Sequence, residues 1–510
     1  MGDKIFHQDD ARRRILEGAK ILYDAVKTTM GPKGHNVVIG KGYPPRVTHD
    51  GVTVARNINI RVIDDETLGQ KVGADLIKEA AEKMNTVAGD GTTTVTVLTY
   101  HILNEANKLI AAGHSPMTLR RELEAAAEEA ISLVKGEDVT GKLAEVGFIS
   151  AASREIGDMV ADVIEAIGQD GSVTIQASQD IETKYEIVNG FSIPRGMQSP
   201  YFANSKGEAE LELPGVLVIS GKIYDWNDLM PVIEALIKEK HPLLIVAEEC
   251  GTDVISNLVL NKMKGIFPSV AVSVGNQKEY LRDLAAYTGA TIFGIDSGNS
   301  LQNFTPSDLG RAKSVVVNNE KTTVIVGLGD TVDYEKQLEA TLKTAKQTYE
   351  KDHIKARLAS IRGKVAIINV GGATETEVEE KIYRIEDAVA AVKASLEEGI
   401  VPGGGVALLN VANGLHGDDY GVRLLKNALE QPFRILLENA GVVPEAFYTS
   451  LEDGQGVDVN TLKVVNMVRA GIIDPAVVTK RAIQNAVSVA GTAMTVGALI
   501  VEVPDEKIAE

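Results

Sequence analysis

The chain has 510 residues, 44% of them hydrophobic, enough for several packed cores and too long for one ordinary domain. Its 71 acidic residues against 52 basic ones leave a net charge of -19, which argues against nucleic acid or an anionic membrane as the main partner. The single cysteine, Cys250, excludes an intrachain disulfide framework, and eight histidines scattered without an H-E-x-x-H or a Cys/His cluster argue against a zinc site.

The N-terminus has no apolar core of a signal peptide, and no run approaches the roughly 18 apolar residues of a membrane span, so a cytoplasmic location is expected. Residues 1–132 predict mostly helix, interrupted by strand and turn near 36–39 and 46–55. Leu68, Val72, Leu76, Ile77, Ala80 and Met84 recur at helical spacing, and Val95, Leu98, Ile102, Ala106, Leu109 and Ile110 continue at the same period. The two helices meet at Gly89-Asp90-Gly91, followed by Thr92, Thr93 and Thr94. That corner suits a metal-bound polyphosphate: the N-H groups of a helix start attract anions, hydroxyls add donors, and a carboxylate beside them can ligate magnesium. An N-capped helix after an Asp-Gly turn is the plainer alternative. Neither a Walker A loop nor a G-x-G-x-x-G is present, so a nucleotide site here is of another type.

From about 185 to 370 the pattern changes. Short apolar runs at 216–220, 242–247 and 270–274 alternate with helical stretches at 228–240, 253–264 and 277–288, which predicts an α/β domain inserted into a helical one. Gly190 and the pair Gly371 and Gly372 mark its junctions, as hinges or as ordinary turn residues. The first of the inserted helices carries Leu229, Val232 and Leu236 on one face with Met230 and Ile233 in surplus. The second carries Ile255, Leu258, Val259 and Leu260. The surplus marks either an exposed interaction face or helices buried on two sides. Residues 400–510 return to helical patterns.

Several motifs then fall in one order: Thr29-Met-Gly-Pro-Lys-Gly, Thr48-His-Asp-Gly-Val-Thr-Val-Ala, Ala88-Gly-Asp-Gly-Thr-Thr-Thr, Arg384-Ile-Glu-Asp-Ala, Glu398-Gly-Ile-Val-Pro-Gly-Gly-Gly, Gly471-Ile-Ile-Asp-Pro and Val489-Ala-Gly. Together they resemble the group I chaperonins of the GroEL type, collinearly over essentially the whole chain. The resemblance implies a multidomain α and α/β fold. A helical equatorial ATPase domain would come from both chain ends (1–132 and 399–510), with a small intermediate hinge domain (133–188 and 373–398) and an inserted apical domain (189–372).

The same resemblance implies site residues. Asp90 would ligate magnesium; Gly91, Thr92, Thr93 and Thr94 would receive phosphate; Thr29, Met30, Gly31 and Pro32 would lie along the nucleotide. Gly403, Gly404, Ile149, Ser150, Asp458 and Asp474 would complete the nucleotide contacts, Asp474 at the ribose. Asp50 and Asp387 would be the catalytic carboxylates, Asp387 positioning the attacking water. Met197, Tyr201, Phe202, Met230, Ile233, Ile255, Val259 and Leu260 would face substrate. The cofactors implied are ATP and Mg2+, with K+ as an optional addition. The partners implied are non-native polypeptides, a GroES-type co-chaperonin and further copies of the chain in heptameric rings, two of them stacked.

The chain departs from the family pattern at four places. His49 stands where lysine is common, and Asp458-Val459-Asn460 where Asn-Ala-Ala is common. The segment after 270–272 is short, and no Gly-Gly-Met tail is present. The expected activity is ATP-dependent protein folding. A small-molecule phosphotransferase and a hydrolysis-deficient scaffold of the same fold are the alternatives compatible with these residues.

Overall fold

The computed structural model describes residues 2–41, 45–61, 67–169, 171–204, 207–236, 241–294, 297–344, 348–448, 451 and 454–503. The chain end that lacks the Gly-Gly-Met tail therefore lies outside the described residues, as do 237–240 of the first inserted helix. The chain forms two compact units, one from Met1–Ile164 with Gly371–Glu510 and one from Glu165–Val370.

The first unit is helical. Its core gathers Gln8–Val26, Gln70–Ala88, Thr92–Ala111, Pro116–Leu133, Tyr420–Asn439 and Ala476–Met494, with Leu22, Ile77, Met84, Leu98, Ile102, Leu123 and Ile483 almost fully removed from water. The two apolar stripes flanking the Gly89-Asp90-Gly91 corner are thus core faces. Burial at about 25 cal/mol per Å2 of apolar surface is what stabilises such helices, since propensity alone contributes little. Around this bundle lie two-stranded ribbons. Gly2–His7 pairs antiparallel with Ala498–Val503, Val37–Ile39 with Arg46–Thr48, and Ile400–Pro402 with Ile473–Pro475.

The second unit is α/β, as the alternating pattern predicts. Gly215–Ile223, Leu243–Cys250 and Ser269–Ser273 pair in parallel, with the helices Met230–Leu236 and Thr252–Met263 as crossovers. Ile292–Gly294 joins the other side of Gly215–Ile223, also in parallel. Antiparallel pairing through Gly310–Val317 and Thr322–Gly327 extends the sheet to Lys184–Ile193 and Lys364–Val370. The central strands are buried on both faces, which is why 216–220 and 243–247 read as unbroken apolar runs.

One junction glycine has a different role from the hinge expected. Gly190 lies inside the strand Lys184–Ile193, its N-H bonded to Gly363 O at 3.0 Å. A Cβ there would stand 2.0 Å from Val365 Cγ2, so glycine is needed for close packing in the sheet. Gly371 does begin a unit. Among the described residues no helix is long and apolar enough to cross a membrane.

Candidate functional site

The Gln70–Ala88 helix ends with Gly89 in the left-handed region at φ 66, and Gly91, at φ 79, opens the Thr92–Ala111 helix. A Cβ on Gly89 would come 2.2 Å from Ala390 Cβ, and one on Gly91 would come 2.8 Å from Val478 and 2.9 Å from Met84. Backbone angle and close packing therefore both demand glycine at this corner. Asp90 accepts from the Gly91 N-H at 2.5 Å. No side chain caps the helix that follows, and its first intrahelical bond is Val95 N-H to Gly91 O, so its opening turn presents backbone donors at the positive end of a 20-residue dipole. Thr92 is buried, Thr93 and Thr94 are half-buried, and the Thr93 hydroxyl packs against Gly51.

Gly51 follows Asp50, which caps the Gly51–Asn57 helix by accepting from Val52 N at 3.2 Å and Thr53 N at 2.8 Å. Asp387 lies midway along Glu375–Glu398, whose Ala390 closes on the corner. Read from residues alone, Asp387 looks like a solvated helix charge. In the fold it is half-buried, and desolvation first, then the charges of Asp90 and Asp50, push its pKa well above the usual range. Burial and Asp90 push Asp474 up to about 7. Burial also raises Asp90, with Asp50 adding to it, while the Gly91 N-H and the nearby Ser150 hydroxyl ease its charge. Ser150 Oγ nonetheless makes no hydrogen bond of normal geometry and is buried without a partner.

Three carboxylates, Asp90, Asp387 and Asp474, raised by burial and by neighbouring acids, together with an uncapped helix start, fit a cation carrying phosphates. Among the described residues no three acidic, histidine or cysteine side chains converge on one point. A metal here would take Asp90 as its protein ligand and draw its other oxygens from phosphate and water, which is the habit of magnesium.

The remaining predicted nucleotide residues are distributed around this centre. Strand pairing sets Val401 opposite Asp474, and Gly403 sits so that a Cβ would be 3.1 Å from Asp474 Oδ1. Gly404, at φ 64, packs on Met467. Ile149 and Ser150 lie on Leu143–Ala151, against the Asp387 helix. Thr29 turns its hydroxyl back to Val26 O at 2.8 Å, and Met30 is buried. Gly31, at φ 80, leads into Pro32. Asn439, which the sequence reading missed, holds this loop by donating to Lys27 O and Met30 O, both at 3.0 Å. A helix-terminal asparagine gives no local signal of such a long-range clamp. Asp458 is occupied otherwise: its carboxylate accepts from Asn460 N at 2.9 Å and Thr461 Oγ1 at 2.8 Å, closing its own hairpin turn.

In the second unit the expected exposed face needs correction. Met197, Phe202 and Ile233 are core residues at 8%, 0% and 5% exposure. Met197 is drawn in by pairing with Asn318 and Val272, Phe202 by the turn Pro200–Phe202, and Ile233 because its short helix presents that face to the sheet. Met230, Ile255 and Val259 are half-buried, whereas Tyr201 and Leu260 are exposed. Met263, Tyr224 and Ile266 join them in the open, and Met263 was legible as the residue three after Leu260 on the same helix. A separate cavity of about 580 Å3 in this unit, lined by Leu281, Arg282, Ile292 and Tyr334, contains none of the predicted residues.

The model of the TCP-1/cpn60 chaperonin family matches residues 22–228 and 224–504. Two crystal structures of the chaperonin gp146 from the bacteriophage EL 2 (Pseudomonas aeruginosa), both determined in the presence of ATP-BeFx, share the fold. One gives a TM-score of 0.71 at 22% identity, the other 0.65 at 23%, each covering 98% of this chain and 99% of the other. The chain belongs to the TCP-1/cpn60 chaperonin family. The family and the fold support a chaperone role.

Proposed function

We propose that the protein is an ATP-driven chaperonin, which captures non-native polypeptides and promotes their folding in a ring cavity closed by a GroES-type co-chaperonin. The observation that carries this is the close approach of the Asp387 helix, through Ala390, to the Gly89-Asp90-Gly91 corner at an uncapped helix start. Asp90 would hold Mg2+, and the backbone of Thr92 to Thr94 would bind phosphate. Gly403, Gly404 and Asp474 would receive the sugar and its flanking groups, and the loop from Thr29 to Pro32 would lie along the nucleotide. Bound magnesium would neutralise the charge of the phosphates during transfer. Asp387, held in a poorly solvated place beside other acids, is suited to orient water and accept its proton. Asp50 has both oxygens committed to a helix cap, which fixes its position beside Thr93.

We divide the chain functionally into the equatorial parts 1–132 and 399–510, the hinge parts 133–188 and 373–398, and the apical part 189–372. Tyr201, Leu260 and Met263 are exposed apolar residues that would meet a client, with the half-buried Met230, Ile255 and Val259 adding to them.

The same reading includes self-assembly into heptameric rings, stacked in pairs; two ribbons that expose apolar cross-strand pairs are suited to contacts between copies. These pairs are Ile5 with Ile500 and Val38 with Val47. The cytoplasm is the expected compartment, and K+ an optional further ion.

The test is recovery of an aggregation-prone denatured enzyme by the purified protein and a GroES-type partner, with and without magnesium-ATP. ATP-dependent recovery supports the reading. Nucleotide binding with neither hydrolysis nor recovery would replace it with a scaffold.

A further inference from the structure

The helix that carries Asp387 is tied to the strand that leads to Asp50. Arg46, which opens the strand Arg46–Thr48, donates from Nη2 to the Tyr383 hydroxyl at 2.9 Å and lies 5.2 Å from the centre of the Tyr383 ring. Its guanidinium also lies 3.6 Å from Glu379 Oε2. On the helix, Tyr383, Asp387 and Ala390 are spaced i, i+4 and i+7 and so share a face. That face touches the first unit's core at Arg46 through Tyr383 and at Gly89 through Ala390, with Asp387 between the two contacts. On the strand side, Thr48 Oγ1 accepts from Asp50 N at 3.1 Å, so the strand sets the start of the Asp50 cap. Arg46 is thus four residues before one catalytic carboxylate and bonds to the residue four before the other.

We propose that Arg46 is a positioning residue for ATP hydrolysis: its contact with Tyr383 latches the Asp387 helix onto the Asp50 strand and fixes the gap in which the attacking water must lie. The proposal rests on the chaperonin ATPase reading above. Arg46 acts through Tyr383 and Glu379 on the helix, so the latch acts on turnover through geometry. A planar guanidinium suits the task because it donates to the hydroxyl and covers the ring at once, holding the helix in rotation as well as in distance. His49 also senses two charges of this helix, Arg384, which opposes its protonation, and Glu380, which favours it. Arg46 supplies a hydrogen bond and an ion pair between the two elements.

The experiment measures steady-state ATPase and equilibrium nucleotide binding for the full chain carrying Arg46→Ala, Arg46→Lys or Tyr383→Phe, and for Asp387→Ala with and without Arg46→Ala. Tyr383→Phe keeps the ring and removes only the acceptor oxygen. A latch predicts that Arg46→Ala lowers kcat by about tenfold while KM and nucleotide affinity move by less than about twofold. Tyr383→Phe should lower kcat in the same direction, and Arg46→Lys should restore part of the loss. In the Asp387→Ala background, Arg46→Ala should cost nothing further, because there is no carboxylate left to position. An unchanged kcat in Arg46→Ala, with Asp387→Ala inactive, overturns the latch and leaves the hydrolysis reading standing. Equal losses from Arg46→Ala in both backgrounds also overturn it, because they would mark a general structural role. Full turnover by Asp387→Ala overturns the hydrolysis reading itself and the latch with it.

Discussion

Asp474 is raised to about 7 by burial and by the neighbouring charge of Asp90, and this has a consequence for stability that can be signed. Its folded pKa stands above that of the unfolded chain, so the native state prefers the neutral acid. Below the unfolded value near 4 both states are protonated and no cost arises; as pH rises towards and through about 7, the reluctance of the native carboxyl to ionise increasingly favours unfolding. Asp474→Asn should therefore raise the thermal midpoint of the nucleotide-free protein at pH 8, by the equivalent of a few kcal/mol at most (about 1.4 per pKa unit), and the gain should vanish towards pH 4. A gain independent of pH would show that packing, not ionisation, is responsible. Asp387 has the same sign of shift but a different role. Asp387→Ala is expected to cut kcat about a hundredfold or more and to leave nucleotide binding in place, as measured by steady-state hydrolysis beside equilibrium binding. Normal hydrolysis by that variant would remove it from the mechanism. Asp90 stood out as a candidate because turn and helix-start chemistry are written in adjacent residues, whereas Asp50 came only from the family pattern. Asp387 was not legible from local chemistry, because its amphipathic helix gives no sign that the acid faces two others brought together only by the fold.

The corner between the two long helices shows how an element boundary positions chemistry. Gly89 and Gly113 both have positive φ, 66 and 100, but a Cβ on Gly89 would collide with Ala390 whereas one on Gly113 meets nothing within 4 Å. Substituting alanine separates backbone strain from packing. Gly113→Ala should cost about 1 kcal/mol of stability and leave hydrolysis intact. Gly89→Ala should cost more than that and also lower kcat, because the Asp387 helix must withdraw from the corner. Denaturant titration and ATPase assays of the two variants decide this, and equal effects on kcat would deny that Gly89 sets the approach of that helix. Helical periodicity identified both flanking helices because their stripes are long and regular. It gave no warning that Met197 and Phe202 are buried, since what buries them is pairing with Asn318 and Val272 and a single tight turn. Nor could it show that the described part of the helix, Met230–Leu236, has no apolar side to spare at Ile233.

At the scale of the whole molecule, the inserted unit combines a sheet whose central strands are buried with apolar side chains left in the open, and the surplus of apolar residues noticed in the sequence is divided between the two. Ile233 belongs to the core at 5% exposure, whereas Leu260 and Met263 stand at 48% and 71%. A charge placed at Ile233 would be trapped among Val232, Leu236 and the strands beneath, at a cost of several kcal/mol, so Ile233→Glu should unfold the inserted unit and lose client binding only as a consequence. A charge at Leu260 or Met263 remains in water. Leu260→Glu combined with Met263→Glu should therefore leave the unfolding midpoint within about 0.5 kcal/mol of the parent protein and the basal ATPase unaltered. Capture of a denatured, aggregation-prone enzyme, followed by light scattering, should nonetheless fall sharply, because the added charges meet the apolar segments that an unfolded client presents. The parent surface is already acidic at a net charge of -19, so two further carboxylates also repel acidic clients, and the loss should be greater at low ionic strength than at high. Undiminished capture by the double variant would move the client surface away from this helix.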